Sequence, residues 1–157
     1  MSRDQAMQID HFEGAYGPTI WLDVDRPRDL SSLLDIFKKL ARGDLKEVEL
    51  CSALGARTEN LGGLRLRLEA WRPRARKRLV RTRGGERTSL LGPHLPSFVW
   101  SNSGSGWKRC AKIVAGLLRR DFPDRRDLTL EGVDDAIVDL SFRATHGPAV
   151  ASGAPIE

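Results

Sequence analysis

The chain has 157 residues, 40% of them apolar and 30% charged, with 26 basic and 21 acidic side chains for a net +5. That is one domain's length with enough apolar material for a packed core, which excludes a chain disordered throughout. No run of about 18 apolar residues occurs, and the first twenty residues lack an apolar signal core, so the expectation is a cytoplasmic protein without a membrane span.

Residues 1–16 read as a flexible N-terminal arm, 17–142 as a single α+β domain, and 143–157 (RATHGPAVASGAPIE) as a disordered tail of small residues. Thr19 to Val24 predicts a strand with Ile20, Leu22 and Val24 on one face. Pro27 breaks it. Asp29 is the expected cap of a helix in which Leu30, Leu33, Leu34, Phe37, Leu40 and Ala41 recur at helical spacing, until Gly43 stops it.

Leu45 to Cys51 predicts a strand with Val48 and Leu50 facing in. Gly63 to Trp71 alternates, with Leu64, Leu66, Leu68 and Ala70 opposing Arg65, Arg67, Glu69 and Trp71, the pattern of a half-buried strand. Lys77 to Arg83 predicts a returning strand and Ser97 to Ser101 another. The polar turn SNSGSG at 101–106, with Ser103 or Ser105 as cap, leads into a second helix whose Trp107, Cys110, Ala111, Val114, Leu117 and Leu118 share a face. Residues 121–135 read as an acidic loop, and Ala136 to Phe142 as the last strand. No internal repeat is legible. The expected architecture is an antiparallel or mixed sheet of five to six strands with two amphipathic helices packed on one face.

Charge is unevenly spread. Residues 64–88 hold ten basic side chains against two acidic, a net +8, which leaves −3 for the rest of the chain. Arg65, Arg67, Trp71, Arg76, Arg78 and Arg81 are the candidate binding residues of this arginine-rich hairpin, and Lys108 and Arg109 of the second helix extend it. Arginines with an aromatic among them suit a phosphate backbone and a stacked base. The same pattern also suits ordinary cross-strand ion pairs, with Glu47 and Glu49 on a strand paired antiparallel to that of Arg65 and Arg67.

Catalytic signals are sparse. The two cysteines, Cys51 and Cys110, have no metal-ligand spacing, and His94 is the one histidine outside the terminal segments. Asp134, Asp135 and Asp139 have no companion motif and read as a solvated acidic edge. No nucleophile-elbow, zinc-protease or dinucleotide-binding pattern occurs, so neither an enzyme nor a cofactor is expected.

The strand Phe98-Val99-Trp100, the Ser/Gly turn, the helix from Trp107 and the closing run DDAIVDLSF together resemble small uncharacterised bacterial α+β proteins of the toxin-immunity type, over residues 97–142. The resemblance implies stoichiometric binding of a protein partner without catalysis. The expected function is therefore a protein-interaction or inhibitor module. The alternative is a nucleic-acid-binding module using the hairpin 64–88.

Overall fold

The computed structural model describes residues 7–14, 17–70, 78–82, 95–119, 126–133 and 136–142. Trp71, Arg76, His94 and the tail 143–157 lie outside the described residues. The elements in chain order are β1 (Gln8–Gly14), β2 (Gly17–Val24), α1 (Pro27–Arg42), β3 (Glu47–Glu49), α2 (Leu50–Leu54), β4 (Gly63–Leu68), β5 (Arg78–Thr82), β6 (Ser97–Asn102), α3 (Gly104–Arg119), β7 (Arg126–Val133) and β8 (Ala136–Phe142).

The fold is α+β with mixed pairing. Its strands form two four-stranded sheets, β1-β2-β8-β7 (sheet A) and β3-β4-β6-β5 (sheet B), instead of one sheet of five to six. Alternation marks a strand but not its neighbour, and here the neighbours are remote in sequence. β8 lies parallel to β2, and β6 lies parallel to β4. β5 pairs with β6 and not with β4, so residues 64–88 are not a hairpin.

A topological repeat underlies this arrangement. The chain divides into β1-β2-α1-β3-β4 and β5-β6-α3-β7-β8, and each half gives one strand pair to each sheet. The registers match. Ile20–Val138, Leu22–Leu140 and Val24–Phe142 in sheet A correspond to Phe98–Leu64, Trp100–Leu66 and Asn102–Leu68 in sheet B. α1 and α3 are both 16 residues long, and Leu30, Leu33, Phe37 and Leu40 of one correspond to Trp107, Cys110, Val114 and Leu117 of the other, all buried. The two halves are thus exchanged across an approximate two-fold relation. Sequence reading found no repeat because burial and register are shared while residue identities are not.

One core joins both sheets and the helices. Leu33, Phe37, Leu64, Leu66, Trp107 and Val114 are buried as their periodicity demands, and Leu118 is partly buried. Phe37 stacks on Trp107 at 5.6 Å between ring centroids and meets Trp100 edge-on at 5.8 Å, and the two tryptophans are 4.8 Å apart. Aromatic contacts of this kind add to simple burial. The C-terminal turn of α1 ends on Gly43 in the left-handed region (φ 84°), a conformation that a side chain would strain.

Four local expectations are corrected. β1 occupies part of the supposed arm: Ile9 enters the core, but one inward apolar residue among polar neighbours is a weak signal. α1 starts at Pro27 with Arg26 as N-cap, and Asp29 sits in the first turn bonded to Arg26 at 2.8 Å. The strand over 45–51 is only Glu47–Glu49, because Glu49 then caps α2 by accepting from the Ser52 N–H at 2.8 Å. β7 also runs through the segment read as an acidic loop, with an irregularity at Thr129–Glu131 that breaks its alternation.

β1 would be an open edge without the segment before β4. Ile9 donates to the Arg57 carbonyl and Arg57 to that of Met7, each at 2.9 Å. Asn60 brackets the His11 backbone, accepting from its N–H at 3.0 Å and donating to its carbonyl at 2.8 Å. This edge is therefore closed to a further strand.

Candidate functional site

Cross-strand register distributes the arginines of sheet B over both of its faces. Arg67 faces Glu47 across β3–β4 and Ser101 on β6, which in turn faces Arg78 on β5. Arg65 lies in the next row, between Glu49 and Val99. Arg81 falls in the alternate row, opposite Phe98. β4 and β5 are two strand spacings apart, about 10 Å.

One carboxylate serves both arginines of β4. Glu47 contacts Arg65 at 3.1 Å and Arg67 at 3.3 Å. Glu49 makes no such pair, because its carboxylate also accepts the Leu64 N–H at 2.7 Å. A carboxylate that satisfies backbone donors is committed to the fold. So Glu47 offsets half the charge of this pair of arginines, and the surface is less basic than composition implies.

A second basic feature lies between α1 and α3. The start of α3 rests against the end of α1, where a Cβ on Gly104 would stand 3.1 Å from the Ala41 carbonyl oxygen. Beside that contact is a groove of about 440 Å³ lined by Lys38, Ala41 and Arg42 from α1 and by Lys108, Ala111, Lys112 and Ala115 from α3. The lining is four cations over three alanines. Lys108, a candidate from the sequence, belongs to it. Arg109 is exposed but outside it. Lys38 and Arg42 were not singled out, although Lys38/Arg42 and Lys108/Lys112 share the four-residue spacing of one helix face.

The outward face of sheet A differs in character. Its cross-strand rows read Gln8–Asp23–Ser141, Asp10–Trp21–Asp139 and Phe12–Thr19–Ile137. No basic residue occupies these positions. Phe12 is 48% and Trp21 39% exposed, on adjacent strands and diagonal to each other. Around them, Asp10 accepts the Glu59 N–H at 2.6 Å, and Asp139 accepts from Thr129 Oγ1 at 2.9 Å. Strand alternation alone placed Trp21 opposite Ile20 and Leu22. Phe12 was missed because its strand was missed.

Neither cysteine is in a disulfide. Burial pushes the Cys51 thiol up to about 12, and the nearby Glu49 carboxylate adds to the shift. It is therefore protonated at neutral pH and a poor nucleophile. Cys110 is buried in α3 with its sulfur 3.7 Å from the Leu130 carbonyl oxygen. Among the described residues no cluster of three or more His, Cys, Asp or Glu is arranged to hold a metal ion. Among them, too, no helix is long and apolar enough to cross a membrane.

Comparison with protein-family models, with curated proteins and with solved structures gives no match to this chain.

Proposed function

We propose that the protein is a non-enzymatic binding module of the inhibitor type, and that it docks a basic protein partner on the outward face of sheet A. The observation that carries this reading is the pair Phe12 and Trp21, standing exposed on neighbouring strands among Asp10, Asp23 and Asp139. Single exposed apolar residues are ordinary. Two aromatics fixed side by side on a sheet, with carboxylates flanking them, have the make-up of an interface anchor: rings to fill a hollow and acids to select the partner's charge.

The test is capture of a partner from nuclease-treated host extract with the intact protein, compared with the double variant Phe12→Ala, Trp21→Ala. A basic protein retained by the parent and lost by a folded double variant is the expected result. Equal retention by both overturns the assignment to sheet A. The nucleic-acid reading of residues 64–88 has less support, because Glu47 sits between Arg65 and Arg67 and the two strands of the segment are not neighbours.

A further inference from the structure

We infer that the groove between α1 and α3 binds the phosphate backbone of a single nucleic-acid strand, independently of base sequence. This site lies on the helix pair, and it stands or falls separately from the docking face of sheet A.

The first observation is where this protein does and does not pair its charges. Away from the groove, α1 uses its acids locally: Lys39 meets Asp35 at 3.2 Å, and Arg26 meets Asp29 at 2.8 Å. At the groove the order is reversed. Lys38 and Arg42 stand four residues apart on α1, and Lys108 and Lys112 four apart on α3. Like charges at this spacing repel one another along a helix. Among the described residues, Lys38, Lys108 and Lys112 make no ion pair, while Arg42 reaches Asp44 outside the lining at 3.0 Å. α3 contains no acidic residue at all. The fold therefore tolerates three lysines without an ion pair among the described residues, beside an arginine that shares its charge with Asp44, which is the arrangement a bound polyanion relieves.

The second observation is the shape and chemistry of the groove. Its floor is Ala41, Ala111 and Ala115, so short side chains leave room, about 440 Å³, between two cationic walls. Along each wall the two basic residues are set about 6 Å apart along the helix axis, a step comparable to that between successive phosphates of an extended single strand. Among the described residues, no aromatic, amide, hydroxyl or carboxylate side chain lines the groove. Nothing there can stack a base or read its edge. The ligand chemistry that remains is a row of phosphates.

The experiment is a titration of the intact protein with fluorescently labelled oligothymidine, followed by anisotropy over a range of salt concentrations. The parent is compared with Lys108→Gln/Lys112→Gln, Lys108→Arg/Lys112→Arg and Arg65→Gln/Arg67→Gln, each verified as folded by its thermal transition. Removing two phosphate contacts should flatten the slope of log K against log salt by about 1.4, given roughly 0.7 per contact for single strands. The arginine pair should keep the parental slope, and the sheet B variant should change it little. Parental binding that is absent, a glutamine variant with an unchanged slope, a loss confined to the Arg65/Arg67 variant, or tighter binding of duplex than of single strand would each overturn the assignment.

Discussion

Trp107 donates its indole N–H to the carbonyl oxygen of Arg67 at 3.2 Å. The bond joins the first turn of α3 to the end of β4, an element from the other half of the chain. Trp100, 4.8 Å away across the aromatic cluster, has an indole nitrogen with no partner among the described residues. The two substitutions Trp107→Phe and Trp100→Phe remove similar volume but differ in this respect. A made hydrogen bond is lost in one, and an unsatisfied donor is removed in the other. Trp107→Phe should cost about 1–2 kcal/mol more than Trp100→Phe, measured as the difference in urea unfolding free energy. Equal costs would show that the bond to Arg67 contributes nothing net.

Two glycines of α3 should respond to alanine in opposite directions. At Gly116 an added Cβ meets nothing within 4 Å. Gly116→Ala should stabilise the protein by roughly 0.5–1 kcal/mol through helix propensity. At Gly106 the Cβ would overlap the amide of Asn102, a buried side chain that accepts the Ser103 N–H at 3.2 Å. Gly106→Ala should destabilise despite the same gain in propensity. Thermal transitions of the two variants decide the point, and a rise for both would mean Asn102 can move aside freely.

Glu47 bridges Arg65 and Arg67 at the surface, where all three side chains are more than two-fifths exposed. Exposed pairs are screened by water, so Glu47→Gln should change stability by under about 1 kcal/mol. Leu66→Ala, one residue away from either arginine but facing the core, should cost about 2–5 kcal/mol. Denaturant midpoints at constant slope separate the two. A large loss for Glu47→Gln would show that the carboxylate registers β3 on β4.

Cys51 ties stability to pH in the alkaline range. Its folded thiol titrates near 12, above its ordinary value of 9.0. The folded state therefore holds this proton where the unfolded chain has released it. The contribution is fully present below about pH 9 and is lost as pH rises from there towards 12. The parent should lose more stability than Cys51→Ala across that window. At pH 8 the native thiol should react slowly with a disulfide reagent and quickly once unfolded. Rapid labelling of the native protein would contradict the protonated thiol.

Strand and helix identities were legible wherever an apolar period was sustained. Leu64, Leu66 and Leu68 gave β4, and the stripes of Phe37 and Trp107 gave α1 and α3. The pairing was not legible, because Thr19 and Ile137 meet across almost the whole domain and no local pattern encodes that contact. β1 and β7 escaped detection for a different reason. β1 buries only Ile9 within its span, and β7 carries an irregularity at Thr129–Glu131 that breaks its alternation. The candidate residues Arg65, Arg67 and Lys108 could be read from charge alone. The groove could not be, since Lys38 and Lys112 come together only when the helices pack.

The exchanged halves have a consequence for surface chemistry. Two identical half-length chains assembled about a true two-fold axis would be forced to show the same face on both sheets. A covalently continuous chain is free of that constraint. The cross-strand pair Trp21–Asp139 on sheet A occupies the place that Val99–Arg65 occupies on sheet B. One scaffold, used twice, thus carries a ring and an acid on one side and an aliphatic group and a base on the other. The backbone is nearly symmetric and the electrostatics are not, so the molecule is polar across its own pseudo-dyad. The two sheets thus differ in surface chemistry without any difference in strand register.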